Sequence, residues 1–116
     1  MEFSGNGERM FPRYDLDVRA KLSIDDQEIT VRTLDISEGG VGVVSPVDIP
    51  EGSCYAVKMV LPTMQNVFSA TLQARSKNGF RYGFEFVGMD ESNRALLLRF
   101  QRRWAIRATD NYATSD

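Results

Sequence analysis

Apolar and polar residues alternate along most of the chain. Leu16, Val18, Ala20 and Leu22 interleave with Asp17, Arg19 and Lys21, the period-two pattern of a strand with one buried face. Asp25-Asp26 supplies a turn, and Ile29 and Val31 then alternate with Thr30 and Arg32 in a second segment. A third carries Val41 and Val43 and is closed by Pro46. Tyr55, Val57, Met59 and Leu61 form one face of a fourth, ended by Pro62. A fifth runs from about Val67 to Arg75 with Phe68, Ala70, Leu72 and Ala74 on one side. Asn78-Gly79 is a two-residue hairpin signal, and the sixth segment places Tyr82, Phe84 and Phe86 on one face. Six short strands punctuated by turns predict an antiparallel sandwich or barrel. A closed six-stranded barrel is favoured at this length because it leaves few bare strand edges.

The period changes after Val87. Asp90 is placed to cap a helix running to about Trp104, with Glu91 favourable in its first turn. Leu96, Leu97, Phe100 and Trp104 fall within an arc of about 100° on the helical wheel, so this face is expected against the barrel. Arg99 and Arg103 border the stripe and Leu98 points away from it. The fold class is therefore all-β with one C-terminal helix. Residues 1–13 hold two glycines and a proline and read as a flexible arm; 14–107 form the barrel and helix, and 108–116 a polar tail.

Composition narrows the chemistry. With 116 residues, 42% of them apolar, the chain suits one folded domain and not a disordered one. It has no histidine and a single cysteine, Cys54. That excludes Ser-His-Asp and Cys-His triads, histidine-bearing zinc sites, an internal disulfide and any multi-cysteine metal centre. Cys54 reads as a packed or idle thiol, and no enzyme is expected. No apolar run reaches the roughly 18 residues of a membrane span, and Met1–Pro12 lacks the layout of a signal peptide. A cytoplasmic protein without membrane insertion is the expectation.

The net charge of −2 conceals an uneven distribution. Residues 1–58 carry 6 basic and 11 acidic side chains, and residues 59–116 carry 8 and 5. A general nucleic-acid binder is usually more basic, but a local anion site is compatible with this balance.

Two short patterns carry the candidate chemistry. Arg9-Met10-Phe11-Pro12-Arg13 is an RxxxR at the junction of arm and barrel, and Asp35-Ile36-Ser37-Glu38-Gly39-Gly40 is a DxSxxG assigned to the turn between the second and third strands. RxxxR alone is weak, since Arg99/Arg103 and Arg103/Arg107 repeat it. DxSxxG is expected only about 0.05 times by chance from this composition, so the ordered pair is the informative signal.

With RMFPR, DISEGG, a YGFEF segment late in the barrel and a C-terminal helix, residues 8–105 resemble the PilZ domain family. The resemblance implies a six-stranded β-barrel and a bacterial receptor for cyclic di-GMP, with no other cofactor and an unidentified protein partner. It carries the ligand contacts onto Arg9 and Arg13, and onto Asp35, Ser37 and Gly40 with Gly39 adjacent. Glu8 stands where many members have a further arginine, which favours one ligand molecule over a stacked dimer.

The residue chemistry agrees with that expectation. An arginine fork matches O6 and N7 of guanine, and it also stacks on a base or pairs with a phosphate. Asp35 suits the guanine edge that donates, Ser37 can donate to phosphate or base, and Gly39 and Gly40 permit positive φ and close backbone approach. Ligand is expected to order the arm and so reshape a surface read by a partner. Arg75 is read as a solvent-facing strand residue. The competing readings are a PilZ-like interaction adaptor that does not bind nucleotide, and a small β-barrel that binds single-stranded nucleic acid through its helix arginines.

Overall fold

The computed structural model describes the backbone of residues 11–114 and the side chains of residues 11–104. Among the described residues, seven strands and one helix follow in order: β1 (Tyr14–Asp15), β2 (Arg19–Ile24), β3 (Gln27–Ile36), β4 (Gly40–Val44), β5 (Cys54–Val60), β6 (Val67–Asn78), β7 (Arg81–Gly88) and α1 (Glu91–Thr114). The wall runs β3-β2-β5-β6-β7-β4, every neighbouring pair is antiparallel, and β3–β4 pairing closes it. The structure is a six-stranded barrel with β1 as an added short strand on β3.

Period-two alternation delivers the core it predicts. Ala20, Leu22, Val31, Val41, Val43, Val57, Met59, Phe68, Leu72, Ala74, Tyr82 and Phe84 are all buried inside the wall. Two tyrosine hydroxyls tie down the long connection after β4: Tyr55 donates to the carbonyl of Pro50 at 2.9 Å, and Tyr82 accepts from the amide of Ile49 at 3.0 Å. Cys54 is exposed at the start of β5, not packed.

The turns differ in register from the expectation at one place. Asp25 and Asp26 both adopt positive φ between the paired Ile24 and Gln27, the pattern of a type I′ hairpin. At the other hairpin Asn78 remains in the ladder opposite Arg81, so the loop residues are Gly79-Phe80. Only Gly79 has positive φ, which suits a turn needing glycine at its first central position.

The first predicted strand is interrupted. Asp15 pairs with Asp35 and Arg19 with Arg32, so three residues, Leu16 to Val18, face the two residues Thr33 and Leu34. The buried Thr33 hydroxyl serves this irregularity: it accepts from the Val18 amide at 2.9 Å and donates to the Leu16 carbonyl at 2.8 Å. Buried backbone groups left by a bulge need such partners.

Asp90 caps α1, as expected. Its Oδ1 accepts from the Asn93 amide, the Asn93 side chain and the Ser92 hydroxyl, and these bonds hold its carboxyl below the usual carboxylate range. Asn93 in turn accepts from the Ser69 amide on β6 at 2.7 Å, tying the helix start to the wall. Leu97 and Phe100 are buried, Leu96 and Trp104 are half-buried, and Tyr14 meets both Phe100 and Trp104 edge-on. The helix continues to Thr114, beyond the predicted end near Trp104, because no glycine or proline interrupts residues 105–114.

Replacing Thr33 with Val is expected to destabilise the fold by about 2–3 kcal/mol, because it strands a buried donor and a buried acceptor while keeping the shape. Urea unfolding of the variant against wild type measures this, and an unchanged midpoint would count against the hydroxyl's role.

Candidate functional site

Asp35 lies within β3, not in the turn to which the sequence pattern assigns it. Strict alternation from Val31 and Thr33 would turn Asp35 into the core and Ile36 outward. The ladder prevents this: Thr33 pairs with Val43 and Asp35 with Gly42, leaving Leu34 as an extra residue. This bulge resets the phase. Ile36 is buried, and the Asp35 carboxylate lies over Gly42 on the outer face.

The turn proper is Ser37 to Gly39. The Ser37 Oγ accepts from the Gly39 and Gly40 amides at 3.1 and 3.2 Å, and the Ser37 amide donates to the Gly40 carbonyl at 2.8 Å. The Gly39 carbonyl accepts from the Phe86 amide at 2.9 Å and anchors the turn to β7. The Ser37 hydroxyl proton has no acceptor among the described residues, so it is free to serve a bound group.

The glycines do different work from that expected. Neither Gly39 nor Gly40 has the left-handed φ that their sequence suggests. A Cβ on Gly40 would collide with the carbonyl oxygen of Phe84, so this glycine serves the approach of β4 to β7. A Cβ on Gly39 would lie 3.0 Å from the ring of Phe11, which brings the end of the arm onto the turn. Gly42, unremarked in the sequence, leaves the space that the Asp35 carboxylate fills: its Cβ would stand 2.8 Å from Oδ1.

Arg13 reaches this carboxylate, with Nη1 at 3.4 Å from Asp35 Oδ2. Asp15 and Asp35 are directly opposed across β1–β3, so the guanidinium offsets a like-charge pairing. Arg9 lies outside the described residues. Of the sequence-predicted residues, Arg13, Asp35, Ser37, Gly39 and Gly40 gather at one end of one face.

The same face carries a second arginine–carboxylate pair. Asp35, Gly42, Gly83 and Ser76 stand in register across β3, β4, β7 and β6, and Glu85 is opposite Gly40. Arg75 is itself an extra residue in β6, between the pairs Ala74–Phe84 and Ser76–Gly83. Its Nε and Nη2 both lie 2.6 Å from Glu85 Oε1. Between the Arg13–Asp35 and Arg75–Glu85 pairs lies a floor of three glycines, Gly40, Gly42 and Gly83, with the Asp35 carboxylate over Gly42 and the Ser76 hydroxyl over Gly83. Arg75 is solvent-facing on its strand, as expected, and its guanidinium is paired with Glu85. Its signal in the sequence, a break in the Ala70-Leu72-Ala74 alternation, is too slight to locate it. Among the described residues no group of His, Cys, Asp and Glu is arranged to hold a metal ion, and no helix is long and apolar enough to cross a membrane.

A closed small barrel, capped by one helix and bearing this turn and arginine on one face, defines the class of domain. The chain belongs to the PilZ domain family, whose model matches residues 8–103. Among solved structures it is similar to YcgR from Escherichia coli in complex with c-di-GMP, at 18% identity and a TM-score of 0.76 over 91% of this chain and 50% of that one. It is also similar to the Bacillus subtilis inhibitor of motility MotI/DgrA, at 17% identity and a TM-score of 0.71 over 85% and 51%. The isolated PilZ domain of YcgR with c-di-GMP matches at 19% identity and a TM-score of 0.65, over 89% and 95%. The chain thus spans about half the length of the first two. No curated protein matches it.

The two neighbouring glycines on β4 are expected to respond differently to substitution. Gly40→Ala forces a Cβ against backbone and should cost at least about 3 kcal/mol. Gly42→Ala displaces only the Asp35 side chain and should cost about 1–2 kcal/mol. Denaturant unfolding of both variants separates the cases, and equal losses would contradict the assignment.

Proposed function

We propose that this chain is a non-catalytic receptor for cyclic di-GMP, binding one molecule through Arg9, Arg13, Asp35, Ser37, Gly39 and Gly40. The observation that carries this reading is the convergence of Arg13, Asp35 and the Ser37 turn beside a glycine floor. The family membership and the c-di-GMP bound by the similar YcgR structures add to it.

The geometry suits the ligand's chemistry. A purine is planar, and the low relief at Gly40, Gly42 and Gly83, where the Asp35 carboxylate and the Ser76 hydroxyl are the side-chain groups that stand over the strands, lets it lie close to the backbone. A guanine presents N1–H and N2–H₂ donors, and the Asp35 carboxylate is an acceptor beside that surface. Arg13 matches O6 and N7 or a phosphate oxygen, and the Ser37 hydroxyl donates to phosphate. The Gly39 and Gly40 amides are committed to Ser37, so the turn contributes shape and one hydroxyl more than a nest of backbone donors.

The arm supplies the signal. Phe11 already rests on Gly39 and Arg13 on Asp35, so ligand seated on the floor gives both arginines of RxxxR a further reason to fold over it. That ordering changes the surface shown to a protein partner in the cytoplasm.

Calorimetry with cyclic di-GMP, cyclic di-AMP and GMP tests the reading. Cyclic di-GMP is expected to bind at one per domain, with cyclic di-AMP and GMP at least tenfold weaker. Arg13→Ala or Asp35→Ala should weaken binding by about 1.5–3 kcal/mol, roughly 10- to 150-fold. No binding at high micromolar ligand would instead favour a PilZ-like adaptor that has given up nucleotide. Hydrogen exchange across residues 5–14 should slow on adding ligand; unchanged protection would remove the arm from the mechanism.

A further inference from the structure

Further down the same face, three features stand together that neither the core nor the nucleotide reading uses. Phe80 is the second residue of the β6–β7 turn, a position usually polar, and 70% of it is exposed. The turn needs Gly79 and asks nothing of an aromatic beside it. Phe80 borders a hollow of about 470 Å³ shared with Val44 and Arg19. A second hollow of about 640 Å³ adjoins it through Arg32 and Val44 and is lined by the exposed Leu34. The result is an open trough with an apolar bottom.

The charge of its Phe80 end is one-sided, with Arg19 and Arg32 in the lining and no carboxylate, whereas Asp15 and Asp17 line the Leu34 end. Arg19, Arg32, Val44 and Arg81 form one row in register across β2, β3, β4 and β7. Arg19 and Arg32 are directly opposed, a like-charge pairing that costs stability. Asp17 answers Arg32 at 2.6 Å and is held below the usual carboxylate range by it. Arg19 and Arg81 have no ion pair or hydrogen bond from their side chains among the described residues. Elsewhere on the wall, Arg75 is matched by Glu85 and Lys77 by Asp48, while Lys21 bonds the Thr30 hydroxyl and Lys58 has no ion pair among the described residues.

We propose that this trough is a docking surface for a partner protein, whose bound segment is acidic with an apolar side chain at its centre. The carboxylates would lie against Arg19 and Arg81, and the apolar side chain against Leu34, Val44 and Phe80. Aromatic and arginine side chains around a small apolar centre are the usual composition of such contacts. Nucleic acid is the less favoured occupant, because the two unpaired arginines, Arg19 and Arg81, offer few of the phosphate contacts from which such binding draws its affinity. The trough also lies next to the candidate nucleotide floor: the outward positions of β4 run Gly40, Gly42, Val44. A partner seated on Val44 therefore reaches whatever lies on Gly42, but its docking does not depend on nucleotide.

The test uses the whole chain without nucleotide and the labelled peptide Glu-Asp-Leu-Phe-Asp-Glu. It is compared with the same peptide carrying serines in place of Leu-Phe, with a Lys/Arg version, and with a single-stranded oligonucleotide. The acidic apolar peptide is expected to saturate below about 1 mM, with amide NMR shifts centred on Arg19, Arg32, Val44, Phe80 and Arg81. Phe80→Ser and the double variant R19E/R81E should each weaken it at least tenfold without lowering the thermal midpoint, since all three side chains are exposed and Glu at position 19 would face Arg32. Absent binding, shifts centred elsewhere, equal binding of the serine peptide or the oligonucleotide, or indifferent variants would each overturn the proposal. Because cyclic di-GMP plays no part in this titration, its outcome is separate from that of the calorimetry.

Discussion

The barrel depends on β3 pairing along both of its edges. One edge takes β2 and then β1, the other takes β4, and only the second pairing joins the ends of the sheet. A strand shared this way must curve sharply, and an extra residue is the usual means of curving it. Leu34 is that residue. Its neighbour Thr33 makes the curve tolerable in a dry interior by bonding backbone groups of the residues between β1 and β2. Without closure, β3 and β4 would each present a bare row of amides and carbonyls. The device that closes the barrel is also the one that turns Asp35 outward, so fold and candidate site share a single local irregularity.

The electrostatics of the face follow from its exposure. Arg13 and Asp35 are partly open to solvent, as are Arg75 and Glu85. Ion pairs in such positions contribute little to stability, because water solvates the separated partners nearly as well. They hold side chains in place at low cost to any group that displaces one partner. In the proposed receptor, a cyclic dinucleotide competing with these carboxylates for the guanidinium groups would meet no deep electrostatic well. The rigid parts of the face are the turn and the glycine floor, which are fixed by backbone bonds and by contact between strands.

Much of this was legible in the sequence. The buried set from Ala20 to Phe84 follows period-two alternation, and the helix face of Leu97 and Phe100 follows the 3.6 period. Alternation fails where an extra residue enters, since a bulge changes the phase without leaving a compositional mark. That is why the motif aspartate reads as a turn residue although it belongs to a strand, and why the pairing of the solvent-facing Arg75 with Glu85 does not show in the sequence. The hairpin at Gly79 was displaced by one residue for a related reason: Asn-Gly and Gly-Phe both satisfy a two-residue loop, and only the ladder chooses between them. Gly42 could not be found from its surroundings at all, because its importance lies in a carboxylate seven residues away in the chain.

The missing side chain at Gly40 has a consequence for how such motifs age. That glycine is demanded by the crossing of two strands, whatever the outer face binds. Ser37 likewise secures its own turn before it meets any ligand. A descendant that abandoned its ligand would therefore keep the serine and the final glycine for as long as it kept its barrel. Arg13 has a weaker second duty, offsetting the Asp15–Asp35 pairing from a solvent-exposed position. In a lineage of these domains, the arm is where a change of allegiance would first be written, and the turn would record only ancestry.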